Sequence, residues 1–579
     1  MARADTGNRR VKVLRGVVLL LAMVFAARLV QVQQVGSDRF AAAGVNQRDA
    51  RTVLPADRGR ILDRSGEALA VSTSRPTLYV NPSAVSDEVS LANAVSPLLG
   101  LDSAELVADV RAARERGAQF MYLGRQLDVA VAEAVIELDL DAVGVIDEPY
   151  RHHPSGPDVG GSLLGGVDTE HVGVSGLELQ LDEVLTGTPG LITFERGADG
   201  RVIPAGRTIV DPAAPGSDVV LTIDRHLQWL TEDVLRRVVD RYGADGAMAV
   251  VLESETAEVL AMANVVGVED GPAQVASYNM SVVDVFEPGS ISKVFTISAA
   301  LEEGLTQVDE VLSVPSSLTL YEEEIGDEFA AGTRPLSTAE IVQHSSNVGT
   351  VMLSERLGEA GVDDYLRRFG FGSATGPGGA IQFPGESRGQ MLALEDWSGV
   401  TLANVSFGQG IAVTALQMAA AYNVIANDGR YRTPTMVRGA VDDDGLAPVT
   451  NVVERDVLSP ETAAAMRTIM TGVVDGQGTG SRAAVPGYTV AGKTGTAQKP
   501  NPEGGGYLED AWISTFAGFA PAADPAVTVV VAVDDPRGQY YGGLVAAPVF
   551  QEITEHAMRM LRVAPDAPFD DEAGDGADG

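Results

Sequence analysis

Three short segments hold residues whose types and spacing could do chemistry. In Pro288-Gly289-Ser290-Ile291-Ser292-Lys293-Val294-Phe295 a serine stands three positions before a lysine. Pro-Gly makes a turn, and the run from Ser290 to about Glu303 reads as a helix. Positions i and i+3 share a helix face, so the hydroxyl and the amine can meet. A helix N-terminus also places backbone N–H dipoles where an oxyanion would form. A serine hydroxyl is a weak nucleophile and needs a base. Buried lysine gives up its proton readily and arginine effectively never does, which explains lysine at 293. Alone, the pair could equally be a surface lysine one turn from a helix cap.

The second segment, Ser345-Ser346-Asn347, follows a helical stretch beginning near Ser337. Its hydroxyl could relay a proton and its amide could hold a substrate carbonyl, although polar triplets most often cap helices. The third is Lys493-Thr494-Gly495-Thr496. A cation and two hydroxyls suit a carboxylate, and Gly495 permits close approach to a strand. Only Lys12, Lys293, Lys493 and Lys499 are lysines among 42 basic residues, and two of them fall in these segments. In the order Ser-x-x-Lys, Ser-x-Asn, Lys-Thr-Gly the three form one recurring catalytic set. Competing chemistries find little support. There is no cysteine, the six histidines show no metal-ligand spacing, and no nucleotide-binding glycine loop occurs. No metal and no cofactor are expected.

The elements that position these residues come from both ends of the C-terminal half. Met248–Leu252 with Val259–Ala263 reads as a hairpin, and Trp512–Phe519 and Val527–Val533 as two more strands. Helices are expected from Arg225 to about Tyr242 and from Ala547 to Leu561. Strands from both ends enclosing a helical middle point to one antiparallel sheet flanked by helices. Asp211–Ser217, with two prolines and a glycine, reads as a linker with little to pack. Glu322-Glu323-Glu324 reads as a solvated face.

The N-terminus opens with Arg3, Arg9, Arg10, Lys12 and Arg15, followed by an apolar run. From Gly16 to Val35 it would span a bilayer if Arg28 snorkels to the interface. The main rival reading is a cleaved signal peptide. By the positive-inside rule the remainder lies outside the cytoplasm. The 579 residues carry 80 acidic side chains and a net charge of −38, which argues against nucleic-acid binding. With 45% hydrophobic residues the chain can bury large cores.

Taken with further motifs, the chain resembles the class B penicillin-binding proteins. Arg58-Gly59-Arg60-Ile61-Leu62-Asp63-Arg64-Ser65-Gly66, Tyr150-Arg151-His152-His153-Pro154, Gly176-Leu177-Glu178 and Arg196-Gly197-Ala198-Asp199-Gly200 resemble the family's pedestal motifs. Leu221-Thr222-Ile223-Asp224 and Phe407-Gly408-Gln409-Gly410, with Thr414 and Gln417, resemble its catalytic domain. The hairpin tip Glu253–Ala257 departs from the family in lacking proline and glycine. No glycosyltransferase signature precedes the linker, which sets the chain apart from the two-enzyme class A. The resemblance implies an α+β protein: a cytoplasmic tail (1–15), a transmembrane anchor (16–35), an elongated pedestal of the dimerisation type (36–215), an α/β-sandwich transpeptidase domain (216–563) and an acidic, disordered tail (564–579).

The resemblance further implies a serine D,D-transpeptidase of peptidoglycan, sensitive to β-lactams and held in the cell membrane by a single pass. Ser290 would attack the penultimate D-Ala of a stem peptide, with Lys293 as base and Ser345 returning the proton. Asn347 would fix the peptide amide. Lys493, Thr494 and Thr496 would hold the carboxylate, and the N–H groups of Ser290 and Thr496 would bind the oxyanion. Length and pedestal motifs lie closest to the cell-division FtsI branch, partnered by an FtsW-type glycan polymerase and other division proteins. The elongation branch, partnered by a RodA-type polymerase, is the neighbouring reading. A β-lactam sensor or hydrolase would leave the pedestal unexplained, and a non-catalytic scaffold would leave both motif lysines unexplained.

Overall fold

The basic leader and the apolar run after it fold as one helix, α1 (Asp5–Val30). It starts well before the expected Gly16, because arginine and lysine are good helix formers and carry the helix through the leader. Its stretch from Arg9 to Val30 is long and apolar enough to cross a bilayer, and it is fully exposed. Arg28 Nη1 donates to Gln31 Oε1 at 2.7 Å. The computed structural model describes residues 5–31, 33, 49–156, 158–195, 208–321, 323–327, 332–375, 385–442, 445–448, 452–476, 478–502 and 504–568. The motif at 196–200, Glu322 and the tail from 569 lie outside the described residues.

The chain divides into two units, Met1–Asp57 with Gly187–Pro215, and Arg58–Thr186 with Gly216–Gly579. The first contains α1 and a three-stranded antiparallel sheet in which Gly190–Glu195 lies between Asp49–Leu54 and Thr208–Asp211.

The second unit is built on a six-stranded, wholly antiparallel sheet. Its strands are β1 (Gly246–Glu253), β2 (Val259–Val268), β3 (Gly271–Val275), β4 (Ala491–Pro500), β5 (Tyr507–Ala520) and β6 (Val527–Asp534), in the order β3-β2-β1-β6-β5-β4. Strands from the two ends of the domain thus meet at β1 and β6, with Val529 opposite Val251. Alternation assigns the two faces. Ala247, Ala249, Val251, Val529 and Val531 pack with α2 (Arg225–Tyr242) and the C-terminal helix. Met248, Val250, Leu252 and Val530 face a helical layer of α3 (Lys293–Glu302), α4 (Thr338–Gln343), α5 (Asn347–Arg368), α6 (Ala415–Ala426) and α7 (Pro460–Val474). Thr414 and Gln417 form a capping box that starts α6, every residue of which is buried. The C-terminal helix, α8 (Gly542–Met560), begins before the expected Ala547 and runs through Pro548. At the hairpin tip Ala257, fully buried at φ 56°, occupies the left-handed conformation where glycine is easier.

Residues 58–186 share a sheet with the catalytic half. Ile61–Leu62 runs parallel to Asp218–Leu221, which pairs with Val437–Asp442. The long strand Ala68–Val80 continues the sheet and pairs along most of its length with Val143–His152. The linker expected to have little to pack is seated at its end. Ser217 N–H donates to the Val184 carbonyl at 3.0 Å, and a Cβ on Gly216 would lie 1.8 Å from the Leu185 oxygen. The pedestal motifs converge on buried charge. Glu178, with no exposed surface, accepts from Arg58 Nε at 2.6 Å and Arg151 Nε at 2.7 Å, and Arg58 also pairs with Asp182 at 2.6 Å.

Candidate active site

Ser290 sits on a single 3-10 turn, Gly289–Ser292, that runs directly into α3. The turn is held from several sides. Gly289 N–H donates to the Gly408 carbonyl at 3.0 Å, and Tyr422 Oη donates to the Ile291 carbonyl at 2.7 Å. Gly408, at φ 87°, lies so close that a Cβ would stand 2.3 Å from both the Gly289 oxygen and Ser292 Oγ. This close packing accounts for the glycines of the Phe407–Gly410 segment. Glu287 Oε1 accepts from Gly410 N–H at 2.9 Å and its Oε2 from Tyr507 Oη at 2.9 Å, tying the turn to β5.

Lys293 is completely buried behind the turn. Its Nζ donates to the Ser345 carbonyl at 2.6 Å and to Ser345 Oγ at 3.1 Å. Ser345 lies between α4 and α5 at φ 58°, an uncommon conformation for a side-chain-bearing residue. The helix expected near Ser337 is α4, started by a Ser337–Glu340 capping box. Ser346 caps α5, with its Oγ accepting from Gly349 N–H at 2.8 Å.

Lys493, Thr494, Gly495 and Thr496 lie on the edge strand β4, beside the nucleophile turn. What approaches the strand at Gly495 is the chain itself: a Cβ would lie 2.2 Å from Thr515 Oγ1 and 3.1 Å from the Pro288 oxygen. Thr494 Oγ1 is 2.6 Å from Thr479 Oγ1, and Gly542 N–H donates to Thr496 Oγ1 at 3.0 Å. Lys493 has no exposed surface, and its Nζ donates to the Thr494 carbonyl at 3.1 Å. Burial first, and then the charge of Lys293, hold its pKa well below the ordinary lysine value.

A cavity of about 820 Å³ brings the three segments together. Ser290, Ser345, Asn347, Thr494, Gly495 and Thr496 all line it, while the two lysines lie buried beside it. Stacked Trp512, Tyr540 and Tyr541 form part of its wall, with centroids 4.6 and 4.8 Å apart. Glu323 and Glu324, exposed on the Glu323–Gly326 strand, also line it. Among the described residues no cluster of histidine and carboxylates is placed to hold a metal ion.

The family model of the penicillin binding protein transpeptidase domain matches residues 247–555, and that of the penicillin-binding protein dimerisation domain matches 53–221. The chain is a class B penicillin-binding protein. Penicillin-binding protein PbpB of Mycobacterium tuberculosis is 37% identical over 97% of this chain and 85% of that protein. Peptidoglycan D,D-transpeptidase FtsI of Escherichia coli is 33% identical over 96% of this chain and 93% of that protein. Penicillin binding protein 3 of Mycobacterium tuberculosis, solved in complex with aztreonam, is 31% identical with a TM-score of 0.67, covering 90% of this chain and 99% of that one. This class B penicillin-binding protein is thus a serine acyl-transfer enzyme, and its α1 is long and apolar enough to cross a membrane. Glu287, Asp327, Thr479 and the aromatic wall are its site residues that sequence reasoning missed. Only Glu287 had a signal, as the acid preceding Pro288-Gly289-Ser290.

Proposed function

We propose that this chain is a D,D-transpeptidase that cross-links peptidoglycan stem peptides during septal wall synthesis. The observation that carries this reading is the convergence of Ser290, Ser345, Asn347 and the Thr494–Thr496 strand on one cavity, backed by two buried lysines. Ser290 attacks the carbonyl of the penultimate D-Ala, and its proton passes to Lys293. The N–H groups of Ser290 and Thr496 receive the developing oxyanion. Terminal D-Ala leaves with a proton delivered through Ser345, whose hydroxyl and carbonyl already hold the Lys293 amine. Thr494 and Thr496 bind the substrate carboxylate, and its negative charge favours protonation of Lys493. Asn347 orients the peptide amide. The amine of a neighbouring stem then attacks the acyl-enzyme and forms the cross-link, while β-lactams stop the cycle at the same serine.

The division role follows the relatives named FtsI and PbpB. Its counterpart is an FtsW-type glycan polymerase, with α1 as the single membrane pass and the catalytic unit outside the cytoplasm. Mass spectrometry of the full chain labelled with penicillin should place one adduct on the Ser290 peptide, and Ser290→Ala should abolish it. An adduct that survives Ser290→Ala overturns the assignment. Co-purification with a RodA-type rather than an FtsW-type polymerase would move the chain to the elongation branch.

A further inference from the structure

Asp327 follows directly on the Ser317–Leu320/Glu323–Gly326 hairpin, which forms one wall of the catalytic cavity. Ile325 of that hairpin is buried against Val351, Ala403 and Phe407, which fixes the hairpin to α5 and the Phe407–Gly410 segment. At its end, the Asp327 carboxylate gathers three donors from the start of α5. Oδ2 accepts from Ser346 Oγ at 2.5 Å, and Oδ1 accepts from Asn347 N–H at 2.5 Å and Val348 N–H at 3.1 Å. Next to it, Asn347 Nδ2 donates to the Gly326 carbonyl at 3.0 Å. One end of the hairpin thus grips the Ser345-Ser346-Asn347 segment through backbone and side chains alike.

The first N–H groups of a helix have no partner within the helix and favour a negative charge. Asp327 fills that role here, and what it secures is catalytic. The residue before Ser346 is Ser345, held at φ 58° with its carbonyl and hydroxyl both bonded to Lys293 Nζ. If the start of α5 relaxed, Ser345 would leave the left-handed conformation and release the amine. Asn347 would turn away from the cavity with it.

Resting on the acyl-transfer reading above, the geometry points to Asp327 as a positioning residue for acyl transfer, which sets Ser345 and Asn347 against the Ser290–Lys293 pair. Its carboxylate is bonded to the start of α5 and not to Ser290 or Lys293. Its loss should therefore slow the bond-forming step and leave the preceding binding step unchanged. A misplacement of about 1 Å can cost on the order of 10²-fold. Asp327→Ala should lower the first-order acylation rate by about 10- to 100-fold. Asp327→Asn keeps Oδ1 for the two backbone donors and loses the acceptor for Ser346, so it should still lose about 3- to 10-fold.

The test is stopped-flow acylation of the full-length protein in detergent with a fluorescent penicillin, separating binding from acylation and normalised to titrated active sites. A purely structural cap would lower the melting temperature and the active fraction, but not the rate per active site. A reduced rate per site with unchanged binding, partly restored in Asp327→Asn, supports the proposal. An unchanged rate per site in Asp327→Ala overturns it. Where Asp327→Ala does not fold, an unchanged rate in Asp327→Asn does so instead. Failure of the wild-type protein to label Ser290 would refute the acyl-transfer reading, a different outcome from either.

Discussion

In the pedestal, Arg58, Arg151 and Glu178 are at most 5% exposed and bonded to one another at 2.6–2.7 Å. In the catalytic cavity Lys493 is just as buried, yet its amine faces a backbone carbonyl and a second lysine rather than a carboxylate. Burying an ion costs several kcal/mol unless it is paired and hydrogen-bonded. The pedestal meets that cost with opposite charge and gains a fixed junction between three segments distant in sequence. The catalytic side leaves it unmet, which holds the Lys493 pKa below the ordinary lysine value. The same physical penalty is cancelled at the pedestal junction and retained beside the catalytic serine.

The pedestal half of this contrast should give the largest effect. Glu178→Gln leaves the buried Arg151 without its counter-charge and Arg58 with Asp182 alone, and burial already lowers the Arg151 pKa despite Glu178. Breaking one partner of such a network costs about 3–5 kcal/mol. Denaturant melts of the variant should show that loss, with acylation per folded molecule unchanged. A loss below about 1 kcal/mol would mean the network is no stronger than an exposed ion pair.

Glu232 is a buried charge of the unpaired kind placed outside the active site. Its Oε1 accepts from Gly160 N–H at 2.9 Å and Gln228 Nε2 at 2.7 Å, while Oε2 has no partner among the described residues. Burial pushes its pKa from 4.5 up to about 7. The folded state then holds its proton more tightly than the unfolded one. Its stability contribution is fully present below pH 4.5 and lost as pH rises through about 7, a change of roughly 3 kcal/mol. Wild-type stability should therefore fall between about pH 4.5 and 7 relative to Glu232→Gln and level off above that. A pH-independent difference between the two would show that the carboxyl ionises without penalty.

The two lysines sharpen the catalytic half. Guanidinium cannot accept a proton near neutral pH, so Lys293→Arg should lose at least about 10²-fold in acylation rate, or about 2.7 kcal/mol. Lys493→Arg would preserve the charge. Full burial predicts a comparable loss there, because the wider arginine head has no room in the space lysine fills. Near-normal acylation in Lys293→Arg would remove lysine from the base role.

Much of this was legible in the sequence. The strands that carry the site declared themselves through short β-branched runs such as Val527–Val533, and the three motifs through a lysine-poor composition. What was not legible arises from contacts between distant segments. Asp327 and Thr479 reach the site from loops without a motif, and nothing local marks them. The start of α8 was hidden because Gly542-Gly543 reads as a turn. Those glycines are there because a Cβ on Gly542 would lie 2.2 Å from the Gly495 oxygen. The packing of Gly216 and Ser217 was likewise invisible, since proline and glycine signal a loop whether or not it is seated against something.

The smallest effect belongs to charge that is paired but exposed. Arg237 on α2 reaches Glu552 on α8 at 2.7 Å and also Asp233 at 3.1 Å, with the Arg237 side chain 54% exposed. Its geometry is as good as that of Arg58 with Glu178, so burial is the variable that differs. Water screens the pair, and ordering two long side chains costs entropy. A double-mutant cycle of Arg237→Ala and Glu552→Ala should give a coupling below about 1 kcal/mol, and at 1 M salt, where the Debye length is ~3 Å, it should shrink further. A coupling above about 2 kcal/mol that is insensitive to salt would show that geometry, not burial, sets the strength of ion pairs in this protein.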